Sequence, residues 1–270
     1  MEEVFGMYYT VLTALFGLVF GSFLNCMAMR IVRHEDFIHG RSHCMACGHE
    51  LAAIDLVPVA SWLFTRGRCR YCGAGISIRY PLSELLFAGL AVGIYLRCGW
   101  SAETLRNLVL LGSLFTLSLV DMESFEIPDG CILAGLAAWC AAAPFMWKEP
   151  GTAVGYLLSG FVCGAVMLIL SLGMDRVLGR ESLGGGDIKL FALLGLYTGL
   201  PGALFLVLLS CIVGLLAAGV MGLVKRDKRD TECAVSGPEG AIPFGPAIST
   251  AGYLMLLFGE EITHWYFGFF

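Results

Sequence analysis

Long uncharged apolar stretches alternate with short polar ones along most of the chain. The first, Val4 to Met29, runs 26 residues without a charge. That is enough to cross the hydrocarbon core of a bilayer as a helix, and Glu2 and Glu3 stand where a secretory leader would carry basic residues. A retained transmembrane helix is expected. Further low-charge segments lie at about Ser83–Leu96, Thr104–Val120, Gly130–Trp147, Thr152–Met174, Ile188–Gly199, Gly202–Val224 and Phe244–Gly259. The uncharged run Leu190 to Val224 is too long for one span, and we divide it at Leu200-Pro201-Gly202, where Pro and Gly favour a turn. The pattern predicts an all-α polytopic membrane protein of about eight transmembrane helices, with a polar loop domain after the first. No sequence repeat is apparent.

Composition agrees, with 57% hydrophobic residues, 14% charged and a mean hydropathy of +0.78, outside the range of soluble domains. The net charge of −5 provides no basic field for phosphates, so no nucleic-acid partner is expected. The distribution of basic residues says more. Alternate loops share a side, and one side would hold Arg30, Arg33, Arg41, Arg66, Arg68, Arg70, Arg79, Arg176, Arg180, Lys189, Lys225, Arg226, Lys228 and Arg229, leaving only Arg97, Arg106 and Lys148 opposite. The positive-inside rule then makes the segment Arg30 to Pro81 cytoplasmic and puts both termini outside. The tail Lys225 to Gly240 reads as a mobile connector.

Seven of the eleven cysteines are scattered singly, whereas Cys44-x2-Cys47 and Cys69-x2-Cys72 form two pairs 21 residues apart in the polar segment. Two thiolate pairs can grip a tetrahedral metal ion, and Gly48 and Gly73 after each pair allow the backbone to turn amides toward sulfur. A segment of this size buries little apolar surface, so such a metal acts as a staple, with no open position for chemistry. A dithiol redox pair is the alternative. Arg68 and Arg70 would offset the thiolate charge, and His34, His39, His43 and His49 read as surface side chains that could replace a ligand.

Two acids stand at span ends. Asp121 closes the third span and Asp187 opens the sixth after Gly184-Gly185-Gly186, 66 residues later. In the predicted topology both lie on the cytoplasmic side at similar depth. Two close carboxylates in a partly dry site cannot both ionise easily, so one can take a proton from water while the other gives one to a carbonyl oxygen or leaving amine. On spacing alone a structural or ion-conducting role explains the pair equally well. Asp129 reads as the cap of the fourth helix and Glu84 as a helix-start acid. Asn25, in Phe20-Gly21-Ser22-Phe23-Leu24-Asn25, is a polar group at span depth; packing through Gly21 and Ser22 is the expected role of that string.

Taken in order, these strings resemble the type IV prepilin peptidases, aspartic proteases of the GxGD type found in pilus and type II secretion systems. The resemblance rests on Phe20 to Asn25, both Cys pairs, Arg79-Tyr80-Pro81, Asp121 with Ile127-Pro128-Asp129, glycine-Asp187-Ile188-Lys189, and Ile242-Pro243-Phe244-Gly245-Pro246. It implies that Asp121 and Asp187 are the catalytic pair and that Cys44, Cys47, Cys69 and Cys72 hold structural zinc. The implied substrate is a prepilin or pseudopilin with a basic leader, cut after glycine at the cytoplasmic face of the bacterial inner membrane. N-methylation of the new terminus with S-adenosylmethionine is implied too, without residues to assign to it. The division the resemblance implies is a first transmembrane helix over residues 1–29, a cytoplasmic four-cysteine zinc loop over 30–81, the N-terminal region associated with methyl transfer, and a transmembrane aspartic peptidase domain over 82–270.

Overall fold

The computed structural model describes residues 2–36, 40–146, 150–179, 182–227 and 243–268. His39, Lys148, Arg180, Lys228, Arg229, Ile242 and most of the Lys225–Gly240 connector lie outside the described residues. Those described form helices and loops with no strand among them, in two compact units, Met1–Thr104 and Leu105–Phe270.

The first unit contains α1 (Glu2–Val32), a short 3₁₀ turn (Ala53–Leu56), α2 (Ala60–Phe64) and α3 (Arg79–Cys98). One face of α1 carries Gly17, Gly21 and Asn25 at four-residue spacing, and this face meets α3. A Cβ on Gly17 would come within 2.7 Å of Ala88 Cα, and one on Gly21 within 3.2 Å of Glu84 Cα. Small residues are needed because helices in lipid associate by close packing rather than by expelling water. One turn on, Asn25 is buried and its Nδ2 donates to Ser83 Oγ at 2.9 Å. The other side of α1 exposes Phe5, Val11, Phe16, Val19 and Phe23, an apolar surface suited to lipid.

The second unit contains α4 (Ala102–Ser124), α5 (Asp129–Met146), α6 (Pro150–Leu178), α7 (Gly185–Asp227) and α8 (Gly245–Phe267). Its core is built from Leu110, Leu114 and Leu117 of α4, Leu190, Phe191 and Leu194 of α7, and Ile248 and Ala251 of α8. The spacings of three and four are those of one helical face. At the start of α4, Arg106 is 5% exposed, with its guanidinium 4.8 Å from the centre of the Tyr197 ring. The Tyr197 hydroxyl donates to Gly135 O at 2.7 Å.

Helix α7 is interrupted at Gly199, whose φ of 69° is outside the helical region. Were it straight, Phe191 and Gly214 would lie about 35 Å apart at 1.5 Å per residue. Both instead meet Phe244: its ring centroid is 6.3 Å from that of Phe191, and a Cβ on Gly214 would come within 2.8 Å of it. The chain therefore doubles back, and α7 is a helical hairpin over residues 185–198 and 200–227, turning next to the expected Leu200-Pro201-Gly202. Among the described residues six helices, α1 and α3 to α7, are long and apolar enough to cross a membrane; α8, with Glu260 and Glu261 near its end, is not among them. With α7 taken as two halves and α8 added there are eight segments, as the hydropathy pattern predicts. The chain is a multi-pass membrane protein.

Candidate active site and metal centre

Asp121 is in the last turn of α4, which continues three residues past the expected end of the span, and the residue is 5% exposed. Its backbone carbonyl accepts from Phe125 N at 3.0 Å, where Phe125 adopts φ 57° and turns the chain out of the helix. Glu126, Ile127 and Pro128 then lead into α5. Against this turn sits the start of α7: a Cβ on Gly186 would come within 2.9 Å of Ile127 Cβ, so any larger residue at 186 would press on the Ile127 side chain. Asp187 follows, half-buried in the first turn of α7 with its amide donating to Gly184 O at 3.1 Å. The packing brings Asp121 and Asp187 within electrostatic reach of one another. Of the three glycines before Asp187, Gly186 makes this close approach, whereas a Cβ on Gly185 would meet nothing.

Two further groups belong to this end of the unit. Gly245, the first residue of α8, donates its amide to Asp121 Oδ2 at 2.8 Å. A Cβ there would lie 2.8 Å from the same oxygen. The Ile242-to-Pro246 string is part of the family resemblance, but nothing local in it announces that partner. Lys189 Nζ donates to Asp129 Oδ1 at 2.6 Å, joining the first turns of α5 and α7. Asp129 does open α5 as expected; its side chain serves this ion pair.

In the first unit, Cys44, Cys47, Cys69 and Cys72 present sulfurs that all lie within 4.8 Å of one another, with Cys44 Sγ 3.8 Å from Cys72 Sγ. Among the described residues no histidine joins them, and His34, His43 and His49 are exposed as expected. The two knuckles repeat each other at an offset of 25 residues. Cys44 N donates to His49 O at 2.9 Å and Cys69 N to Ala74 O at 2.8 Å, while Gly48 and Gly73 take φ 69° and 73°. The bridges His43–Glu50 and Arg68–Gly75 close each loop. This is a structural repeat that the sequence reading missed, because beyond the cysteines, glycines and Arg41/Arg66 the two loops have few residues in common. Backbone amides at Cys47 and Ala46 help hold the Cys44 thiol low, at about 6. At Cys72 the amide of Ala74 also favours the thiolate, yet desolvation and the facing thiols push it up to about 11. The first proton leaves this cluster easily and the last with difficulty, and a cation held by all four sulfurs removes that difference.

Two expectations about neighbouring charges change. Arg70 Nε lies 3.3 Å from Asp55 Oδ1, so this guanidinium pairs with a carboxylate rather than simply offsetting thiolates. Glu84 is no helix-start acid. It is 7% exposed in the second turn of α3, and its Oε2 accepts from Val59 N at 2.7 Å.

The type IV leader peptidase family matches residues 108–219, and the bacterial peptidase A24 N-terminal domain matches residues 15–98. A protein of Pseudomonas putida named prepilin leader peptidase/N-methyltransferase is 35% identical, the match covering 94% of this chain and 92% of the relative. Relatives of the same name from Aeromonas hydrophila and Bacillus subtilis are 33% and 32% identical, over 96% and 93% of this chain and 93% and 95% of theirs. No solved structure matches the chain. Two adjoining family domains and near-full-length relatives lead to one conclusion: the chain belongs to the type IV leader peptidase family.

Proposed function

We propose that the chain is an aspartic endopeptidase of the bacterial inner membrane that removes the basic leader of prepilins or pseudopilins after glycine, and that it then N-methylates the new terminus with S-adenosylmethionine. The observation that carries the peptidase reading is the close approach of Gly186 to Ile127, which brings the half-buried Asp187 at the start of α7 within electrostatic reach of the buried Asp121 at the end of α4. One carboxylate deprotonates a water for attack on the scissile carbonyl; the other protonates the carbonyl oxygen and then the leaving amine. The active-site end is cytoplasmic by the distribution of Arg and Lys, the side on which a basic leader remains.

The four-sulfur cluster fits zinc. A tetrahedral ion with bonds of about 2.3 Å separates its sulfurs by about 3.8 Å, and Cys44 and Cys72 stand at 3.8 Å. Bound there, zinc supplies a structural cross-link between the two knuckles. The N-methyltransferase half of the relatives' name supports methyl transfer by this chain. Incubating the purified protein with a peptide made of a basic leader, glycine and an apolar helix, with and without S-adenosylmethionine, tests both activities by mass spectrometry. A cut after glycine is expected in both cases, and a gain of one methyl group on the mature fragment only when the donor is present.

A further inference from the structure

The first unit encloses a cavity of about 460 Å³ between the end of α1, the cysteine loop and the start of α3. Its size is that of a small-molecule site, commonly about 300–1,000 Å³. The walls combine three kinds of surface. Trp62 offers a flat ring fixed from two sides: its Nε1 donates to Ile76 O at 3.0 Å, and a Cβ on Gly67 would come within 2.8 Å of the ring. Arg30, Arg33, Arg68 and Arg70 contribute cations, of which Arg70 is paired with Asp55. Glu84 contributes a buried carboxylate whose hydrogen bond comes from a neutral amide, that of Val59. Val59 holds φ 59° and ψ −50°, a conformation that is costly for a β-branched residue and tends to be kept where a ligand is handled.

Resting on the methyl-transfer reading above, we propose that this cavity is the site of the methyl donor, with Trp62 against the base, Arg30 toward the donor's carboxylate and Glu84 as the negative complement of its sulfonium. A buried carboxylate supported by neutral donors is costly, and a cationic ligand relieves that cost. The residues fit the group, since an adenosyl sulfonium amino acid needs an aromatic surface, a cation and an anion together. In the transfer, the unprotonated amino nitrogen of the cut peptide bonds to the methyl carbon as the carbon–sulfur bond breaks. The electron pair stays on sulfur, which becomes a neutral thioether, and the proton released from nitrogen passes to water.

The test measures binding to the full chain in detergent by calorimetry, using S-adenosylmethionine and its neutral product S-adenosylhomocysteine. Glu84→Gln keeps an oxygen for the Val59 amide and removes the charge. It should weaken the sulfonium roughly tenfold and the thioether much less. Ser61→Phe, which puts a ring into the cavity from α2, should abolish binding of both. Metal content and circular dichroism report folding, and if Glu84→Gln loses either, Ser61→Phe carries the test. A wild-type chain that cuts the peptide but neither methylates it nor binds the donor overturns the methyl-transfer reading itself. A wild type that methylates, beside a Ser61→Phe protein that binds both ligands normally, overturns the cavity assignment alone. Equal weakening of both ligands by Glu84→Gln removes Glu84 from the assignment.

Discussion

The amide of Gly245 donates to Asp121 Oδ2 across 2.8 Å, joining the first turn of α8 to the last turn of α4 over 124 residues of chain. It holds one oxygen of the buried acid in place and leaves the other for the chemistry proposed above. Gly245→Ala adds a methyl group 2.8 Å from that oxygen and must displace it. Alanine favours the helix, so α8 should form as before, while kcat/KM for leader cleavage should fall by about tenfold or more through misplacement of the acid. Near wild-type cleavage with unchanged helicity would separate Gly245 from the site.

Asp129 and Lys189 lie close to the acids in sequence, yet the side chains of their ion pair are 70% and 55% exposed. Exposed pairs contribute about 0–1 kcal/mol. Asp129→Asn and Lys189→Ala should therefore each keep cleavage within about fivefold of wild type. Loss of activity in Asp129→Asn equal to that in an Asp121 or Asp187 variant would mean that the catalytic pair is misassigned.

Removing the metal tests the staple. The purified protein should carry about one zinc per chain. Chelation, or Cys44→Ser with Cys69→Ser, should open the segment between α1 and α3 to proteases while leaving α4 to α8 folded, because all four sulfurs belong to that segment. Thiolates must stay deprotonated to bind, so zinc should leave as the pH falls. Metal-free protein with an equally resistant loop, or a Cys44–Cys47 disulfide found under reducing preparation, would contradict it.

Local pattern made the helices legible: apolar runs of bilayer length gave the spans, and the Leu200-Pro201-Gly202 string marked the turn of α7 immediately after the break at Gly199. Groups whose partners are distant in sequence were not legible. Glu84 reads as a helix-start acid until the fold places the Val59 amide against it, and Gly245 is one glycine of 35 until α8 lies beside Asp121. The cysteine spacing disclosed the metal site, while the 25-residue repeat of its knuckles resides in backbone hydrogen bonds that side chains barely encode.

Orientation rests on charge, with 14 of the 17 basic residues assigned to one side. Single cysteines placed after Lys148 and within residues 227–239, in a background without other reactive thiols, should react with an impermeant reagent from opposite faces of the membrane. Labelling of both from one face would overturn the count of crossings between them.

The central claim is that Asp121 and Asp187 form one hydrolytic centre, and purified Asp187→Asn assayed on the leader peptide tests it most directly. General acid and general base act in the same step, so Asp187→Asn and Asp121→Asn should each lower cleavage by orders of magnitude, and the double change should cost little more than either alone. Zinc content and helicity should be unchanged, because asparagine keeps the volume and the sulfur cluster contains neither residue. Cleavage after glycine by Asp187→Asn at near the wild-type rate would contradict the account.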